Sequence, residues 1–115
     1  MIGIDLAKIE RFTRARERHG DAFLRKFLGE DELALVRSDE TAAGFWAVKE
    51  AASKALGCGI CSDFGWHDVV IGKTPLGAPT ITFSPRVLEK FGIKLASASI
   101  SDDGGFAVAV VAIEI

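Results

Sequence analysis

Ala107 to Ile113 is an unbroken apolar run close to the C-terminus. An antiparallel strand with one face in water alternates apolar and polar side chains, so a continuous run asks for cover on both faces. That cover comes either from the domain's own helices or from another subunit, and the run alone leaves both open. Lys94 to Ser101 reads as a second strand, and Asp102-Asp103-Gly104-Gly105 between the two is a hairpin signal. The chain therefore ends in antiparallel sheet, which the rest of the sequence must pack against.

The N-terminal half is patterned differently. Ile2 to Leu6 is a short apolar strand with Asp5 inside it, and a carboxylate there is costly to bury unless it is paired or metal-bound. From Ala7 the pattern turns helical, with Ile9, Phe12, Phe23 and Phe27 on one side and a break at Gly20-Asp21. A second helix is expected over Glu30 to Arg37, and a third from a Ser38 or Asp39 cap to Leu56, stopped by Gly57. Trp66 to Ile71 and Thr80 to Phe83 read as strands around a turn at Thr74 to Pro79, and Ser84-Pro85 opens a short helix that ends near Gly92. Helices early and sheet late give an α+β fold, expected as one domain over residues 1–115.

Composition narrows the classes. The 115 residues are 49% apolar and 26% charged, which is globular and not disordered. A net charge of -2 argues against a generally basic nucleic-acid binder. No apolar run reaches the ~20 residues of a membrane span, and no basic region followed by a long apolar stretch opens the chain, so no signal peptide is expected. Two cysteines are too few for a disulfide scaffold and point to a reduced, cytoplasmic protein. A domain this small leaves little room for a deep pocket of its own, which places a large ligand at an edge or between subunits.

The third helix carries the most chemistry. At 3.6 residues per turn Trp46, Glu50 and Lys54 share one face, while Phe45, Val48, Ala52 and Leu56 cover the core side. Ala47, Ala51 and Ala55 form a third stripe, small enough for another backbone to come close. Glu50 and Lys54 have the spacing of an ordinary surface ion pair. They also stand one turn before Gly57-Cys58-Gly59-Ile60, where backbone N–H groups can face an anion. Asp5 and Glu50 are hard oxygen ligands, and two carboxylates near a lysine and a Gly-rich turn suit Mg²⁺ on a diphosphate.

Gly3-Ile4-Asp5-Leu6, Phe27-Leu28 with Glu32-Leu33, Trp46-Ala47-Val48-Lys49-Glu50-Ala51 with Ser53-Lys54-Ala55, Gly57-Cys58-Gly59-Ile60, Gly77-Ala78-Pro79, and Ser99-Ile100-Ser101-Asp102-Asp103 before Phe106-Ala107-Val108-Ala109 follow in order. Together they resemble the holo-acyl-carrier-protein synthases, small 4′-phosphopantetheinyl transferases of the AcpS type. The resemblance covers almost the whole chain. It implies transfer of 4′-phosphopantetheine from coenzyme A to a serine of apo-acyl carrier protein, with release of adenosine 3′,5′-bisphosphate, as a step of fatty acid biosynthesis. It also implies Mg²⁺ held by Asp5 and Glu50, and homotrimers with active sites at subunit boundaries. Lys54 would contact phosphate, the role favoured here, or assist removal of the serine proton, with Gly57, Gly59, Ser101 and Asp102 on the coenzyme A side; Asp5 or a metal-bound water is the other candidate to take that proton.

Arg11, Arg14 and Arg18 fall within ~60° on one helical face, with Arg25 and Lys26 beyond the glycine. Either this is a solvated charged face, or it docks an acidic partner; the resemblance makes that partner the carrier protein. Two positions depart from the family pattern: Asp102 stands where many members have His, and Phe45 where many have Arg. Other classes remain. One is a non-catalytic oligomeric module that binds an acidic protein through its first helix. Cys58-x-x-Cys61 allows a thiol protein, although it follows a helix C-terminus, where the dipole disfavours thiolate. A zinc site of Cys58, Cys61 and His67 would lack an evident fourth ligand.

Overall fold

A computed structural model describes all 115 residues. The order is β1 (Ile2–Lys8), α1 (Ile9–His19), α2 (Asp21–Arg25), α3 (Glu30–Leu33), α4 (Asp39–Ala55), a 3₁₀ turn (Trp66–Asp68), β2 (Val69–Lys73), β3 (Pro79–Phe83), α5 (Pro85–Phe91), β4 (Leu95–Asp103) and β5 (Phe106–Glu114). This is the expected α+β arrangement, with α4 as the expected third helix. The strands form two antiparallel sheets, one ordered β1-β5-β4 and one of β2 with β3.

β5 is the central strand of the larger sheet. Its Ala107, Ala109, Val111 and Ile113 are buried, on the side that packs against α4. The alternate residues behave otherwise: Val110 is 39% exposed, and on β1 Ile2, Ile4 and Leu6 are 73%, 59% and 62% exposed. The registers Ile4↔Val110 and Leu6↔Val108 put these side chains in rows on one face. The protomer's own helices thus cover one face of the apolar run and leave the other open.

α4 begins at Ser38, whose Oγ accepts from the Thr41 N–H at 3.2 Å. It turns out of the helix at Gly57, which has φ +77°. The alanine stripe is where β1 crosses. A Cβ on Gly3 would stand 1.8 Å from the Ala51 carbonyl oxygen and 2.6 Å from the Ala55 nitrogen. The strand therefore lies directly on the helix backbone, and only glycine fits there.

Two segments differ from expectation. The helix expected over Glu30 to Arg37 lasts only from Glu30 to Leu33. Glu32 turns inward and caps the Gly29 N–H at 2.8 Å, and Ala34 to Arg37 then loop toward the α4 cap. The strand expected from Trp66 starts at Val69, because Asp68 accepts the Gly65 N–H at 2.7 Å and winds Trp66–Asp68 into a 3₁₀ turn. No helix is long and apolar enough to cross a membrane.

Candidate active site at the crossing of β1 and α4

Asp5 faces the helix side of its sheet with Gly3 and Ala7. Its side chain is 12% exposed, and Oδ1 accepts from Lys54 Nζ at 2.7 Å. Lys54 Nζ also reaches the Ile4 carbonyl at 3.4 Å. Glu50, one turn earlier on α4, is half-buried. Burial pushes its carboxyl above the ordinary range and the Asp5 charge adds to the rise, while Lys54 and Arg11 work against it. Two carboxylates and a lysine, separated by 45 and 49 positions in sequence, are therefore electrostatic neighbours. The hydrogen bond to Asp5 raises the Lys54 pKa and keeps the amine cationic.

The oxygen donors of Asp5 and Glu50 fit a small hard dication that retains most of its waters. Two observations bear on this fit. The Asp5 charge raises the cost of ionising Glu50, so a cation beside the pair is favoured, and the Lys54 ammonium already occupies one Asp5 oxygen. No cluster of three or more His, Cys, Asp or Glu side chains exists that could hold a metal by itself. Cys58, Cys61 and His67 accordingly form no three-ligand site. Both thiols are free, and burial first, then Cys61, pushes the Cys58 thiol up. That direction is opposite to that of a reactive thiolate.

The other expected site residues separate into two places. Gly57 and Gly59 follow Lys54 directly, with φ +77° and +67°. Ser101 and Asp102 lie on β4 and point to opposite faces of the sheet. Asp102 lines a groove with Ser38, Glu40, Thr41, Phe45, Lys73 and Ile100. Phe45 and Glu50 are five residues apart on α4, about 140° around the helix. Asp102 is therefore not brought to the Asp5–Glu50 pair within this protomer.

On α1, Arg11, Arg14 and Arg18 line one groove with Phe12, Ala15, His19 and Phe23. Arg14 is tied to Glu10 at 2.5 Å, and the Arg11 guanidinium stands 5.8 Å from the Trp46 ring centroid. Arg25 turns instead to Glu30 at 3.1 Å. The basic face and the carboxylate pair adjoin, since Arg11 acts on both Trp46 and Glu50.

The sequence patterns gave no role to Lys49, which is fully buried. Its Nζ donates to the Phe27 carbonyl at 2.7 Å, Glu32 Oε1 at 2.9 Å and the Trp66 carbonyl at 2.8 Å. A signal was present: Phe45, Val48, Lys49, Ala52 and Leu56 have core-face spacing, so Lys49 sits in an apolar stripe. Trp66, expected on a strand, lies on the 3₁₀ turn instead, with its ring tilted against that of Trp46 at 4.3 Å between centroids.

Comparison with known proteins gives the family and the fold. The family model of the 4′-phosphopantetheinyl transferase superfamily matches residues 1–111. The chain is 57% identical over 110 residues to a holo-[acyl-carrier-protein] synthase of Campylobacter curvus, covering 96% of each chain. It is 50% identical to that of Aliarcobacter butzleri over 96% of this chain and 94% of that one. Among solved structures, Helicobacter pylori holo-[acyl-carrier-protein] synthase in complex with coenzyme A superimposes with a TM-score of 0.95 at 43% identity, covering 99% of this chain and 100% of that one. The Neisseria meningitidis synthase gives 0.88 at 31% identity, over 99% of this chain and 97% of that one. An early Gly-x-Asp strand laid on a Lys-Glu-Ala helix, full-length relatives and a shared fold lead to one assignment: this chain belongs to the 4′-phosphopantetheinyl transferase superfamily.

Proposed function

We propose that this protein transfers the 4′-phosphopantetheine arm of coenzyme A to a serine hydroxyl of an apo-acyl carrier protein and releases adenosine 3′,5′-bisphosphate. The observation that carries it is the Asp5–Lys54 ion pair where β1 crosses α4, with Glu50 one turn away and within reach of the Asp5 charge, in a chain so similar to holo-[acyl-carrier-protein] synthases. The serine oxygen displaces the nucleotide phosphate at the pantetheine phosphorus, so positioning and charge neutralisation supply most of the acceleration. Asp5 and Glu50 would hold Mg²⁺, which supplies charge neutralisation on the diphosphate. Lys54, kept cationic by Asp5, contacts phosphate and does not serve as the base. Gly57 and Gly59 leave the backbone free to approach the diphosphate.

The basic face of Arg11, Arg14 and Arg18, extended by Arg25 and Lys26, steers and docks the acidic carrier protein beside this site. The open apolar sheet face supports assembly as a homotrimer. Ile2, Ile4 and Leu6, all more than half exposed, lie beside Val108 and Val110 in rows that a monomer would leave in water. Ser101 faces that same side, and Asp102 lies away from the pair. Both serve coenzyme A only if a neighbouring copy brings a nucleotide to them. The product places the enzyme in fatty acid biosynthesis, in the cytoplasm where the carrier protein and coenzyme A are found together.

Incubation of the protein with apo-acyl carrier protein, coenzyme A and Mg²⁺, followed by intact-mass analysis, tests the proposal. A gain of one phosphopantetheine arm is expected. Tight carrier binding with no mass gain would instead mean a non-catalytic binding module.

A further inference from the structure

The interior of this small domain contains one full charge pair, Lys49 with Glu32, exposed 0% and 2%. A buried pair is weak evidence for stability, because desolvation offsets most of the attraction. Its geometry shows what else it does. An ammonium has three hydrogens, and Lys49 spends all three: on the carbonyl after α2, on α3 and on the carbonyl of the 3₁₀ turn. Glu32 is equally committed. Oε1 also accepts the Gly29 N–H at 2.8 Å, and Oε2 accepts the Ile71 N–H of β2 at 2.9 Å. One lysine thus fastens α4 to three separate segments, and through Glu32 to the smaller sheet.

The residue next to this anchor is Glu50. Ala and Gly dominate the helix surface beneath β1, and small side chains interlock weakly against rotation about the helix axis. A roll of ~20° moves a group ~6 Å from the axis by ~2 Å. That is enough to separate Glu50 and Lys54 from Asp5, and misplacements of ~1 Å already cost about 10²-fold in rate. We propose that Lys49, held by Glu32, is a positioning residue for the transfer reaction: it sets the roll of α4 that brings Glu50 and Lys54 to Asp5. This rests on the function proposed above. The same bonds fix the Phe27 and Trp66 backbone, and with it the aromatic cluster of Phe27, Trp46 and Trp66 beside the basic face of α1.

Lys49→Met tests this at temperatures well below the variant's own unfolding midpoint, where every molecule counted is folded. A merely structural lysine lowers the midpoint and leaves each folded molecule fully active. A positioning lysine also costs roughly tenfold or more in Mn²⁺ affinity, read by electron paramagnetic resonance, and about 10²-fold in kcat, with KM for the carrier protein little changed. Wild-type Mn²⁺ affinity and kcat per folded molecule would overturn the proposal. Should the variant not fold, amide exchange of the wild-type protein decides. Coupling is reciprocal, so coenzyme A with Mg²⁺ must slow exchange at the Gly29 and Ile71 N–H groups by ~5-fold or more. Unchanged exchange there overturns it. A Glu50→Gln variant that keeps wild-type Mn²⁺ affinity would be a separate failure, that of the metal site, and the kcat comparison would still judge Lys49.

Discussion

Glu50 resists ionisation because it is half-buried and faces Asp5, whereas Asp5 is held by a lysine that costs it one oxygen. Away from the site, Asp68 accepts from the Gly65 N–H, the Ser84 hydroxyl and the Arg86 guanidinium. Arg86 foremost holds its carboxyl well below the usual carboxylate range, and Arg16 lowers that of Asp39. A carboxyl whose pKa is lower folded than unfolded stabilises the fold above its unfolded value of ~3.9, and that contribution fades as pH falls toward the folded value. Asp68→Asn should therefore be less stable than wild type at pH 7, with the difference shrinking as pH falls from about 4 to 2. Urea unfolding at a series of pH values checks this, and a difference independent of pH would contradict it.

At the scale of elements, two contacts determine whether the site can form. β1 lies on α4 at Gly3, where any Cβ meets backbone and no side chain can yield. Gly3→Ala should cost about 3 kcal/mol or more, at the upper end for overpacking, measured by chemical denaturation; a loss under ~1 kcal/mol would mean that the strand does not seat so closely. On α1 the basic stripe stands apart from the carboxylate pair in charge but adjoins it in space. Arg14→Glu should weaken carrier-protein binding at least tenfold, with a reduced salt dependence, and leave coenzyme A affinity near wild type. Calorimetry with each ligand separates the two. The elements were largely legible in sequence because caps, turn glycines and apolar periods are local signals. The alanine stripe announced that some backbone would come close, though not that β1 makes the crossing. Glu32 was not legible as a core residue, because it stands among Glu30 and Asp31 in what reads as an exposed acidic turn, and its partners lie 17 and 39 residues away. Such pairings belong to tertiary structure, as does the ion pair of Asp5 with Lys54.

For the whole molecule, the apolar run of β5 poses the question that one protomer does not answer. Its inner face is filled by α4, while its outer face continues into Ile2, Ile4 and Leu6 in open solvent. If this face is the seam of the proposed homotrimer, Leu6→Asp should leave the protomer folded yet shift it from trimer to monomer by light scattering, with loss of transfer. A trimer that persists would place the interface elsewhere. The fold, the docking face and the assembly all serve one local claim, that the carboxylates on β1 and α4 act together on one cation. Mn²⁺ titration of the wild-type protein, Asp5→Asn, Glu50→Gln and the double variant tests it most directly. One ion per chain is expected in the wild type, with a loss of about a hundredfold or more in either single variant and no further loss in the double variant. Wild-type affinity in either single variant, or losses that simply add, would contradict it.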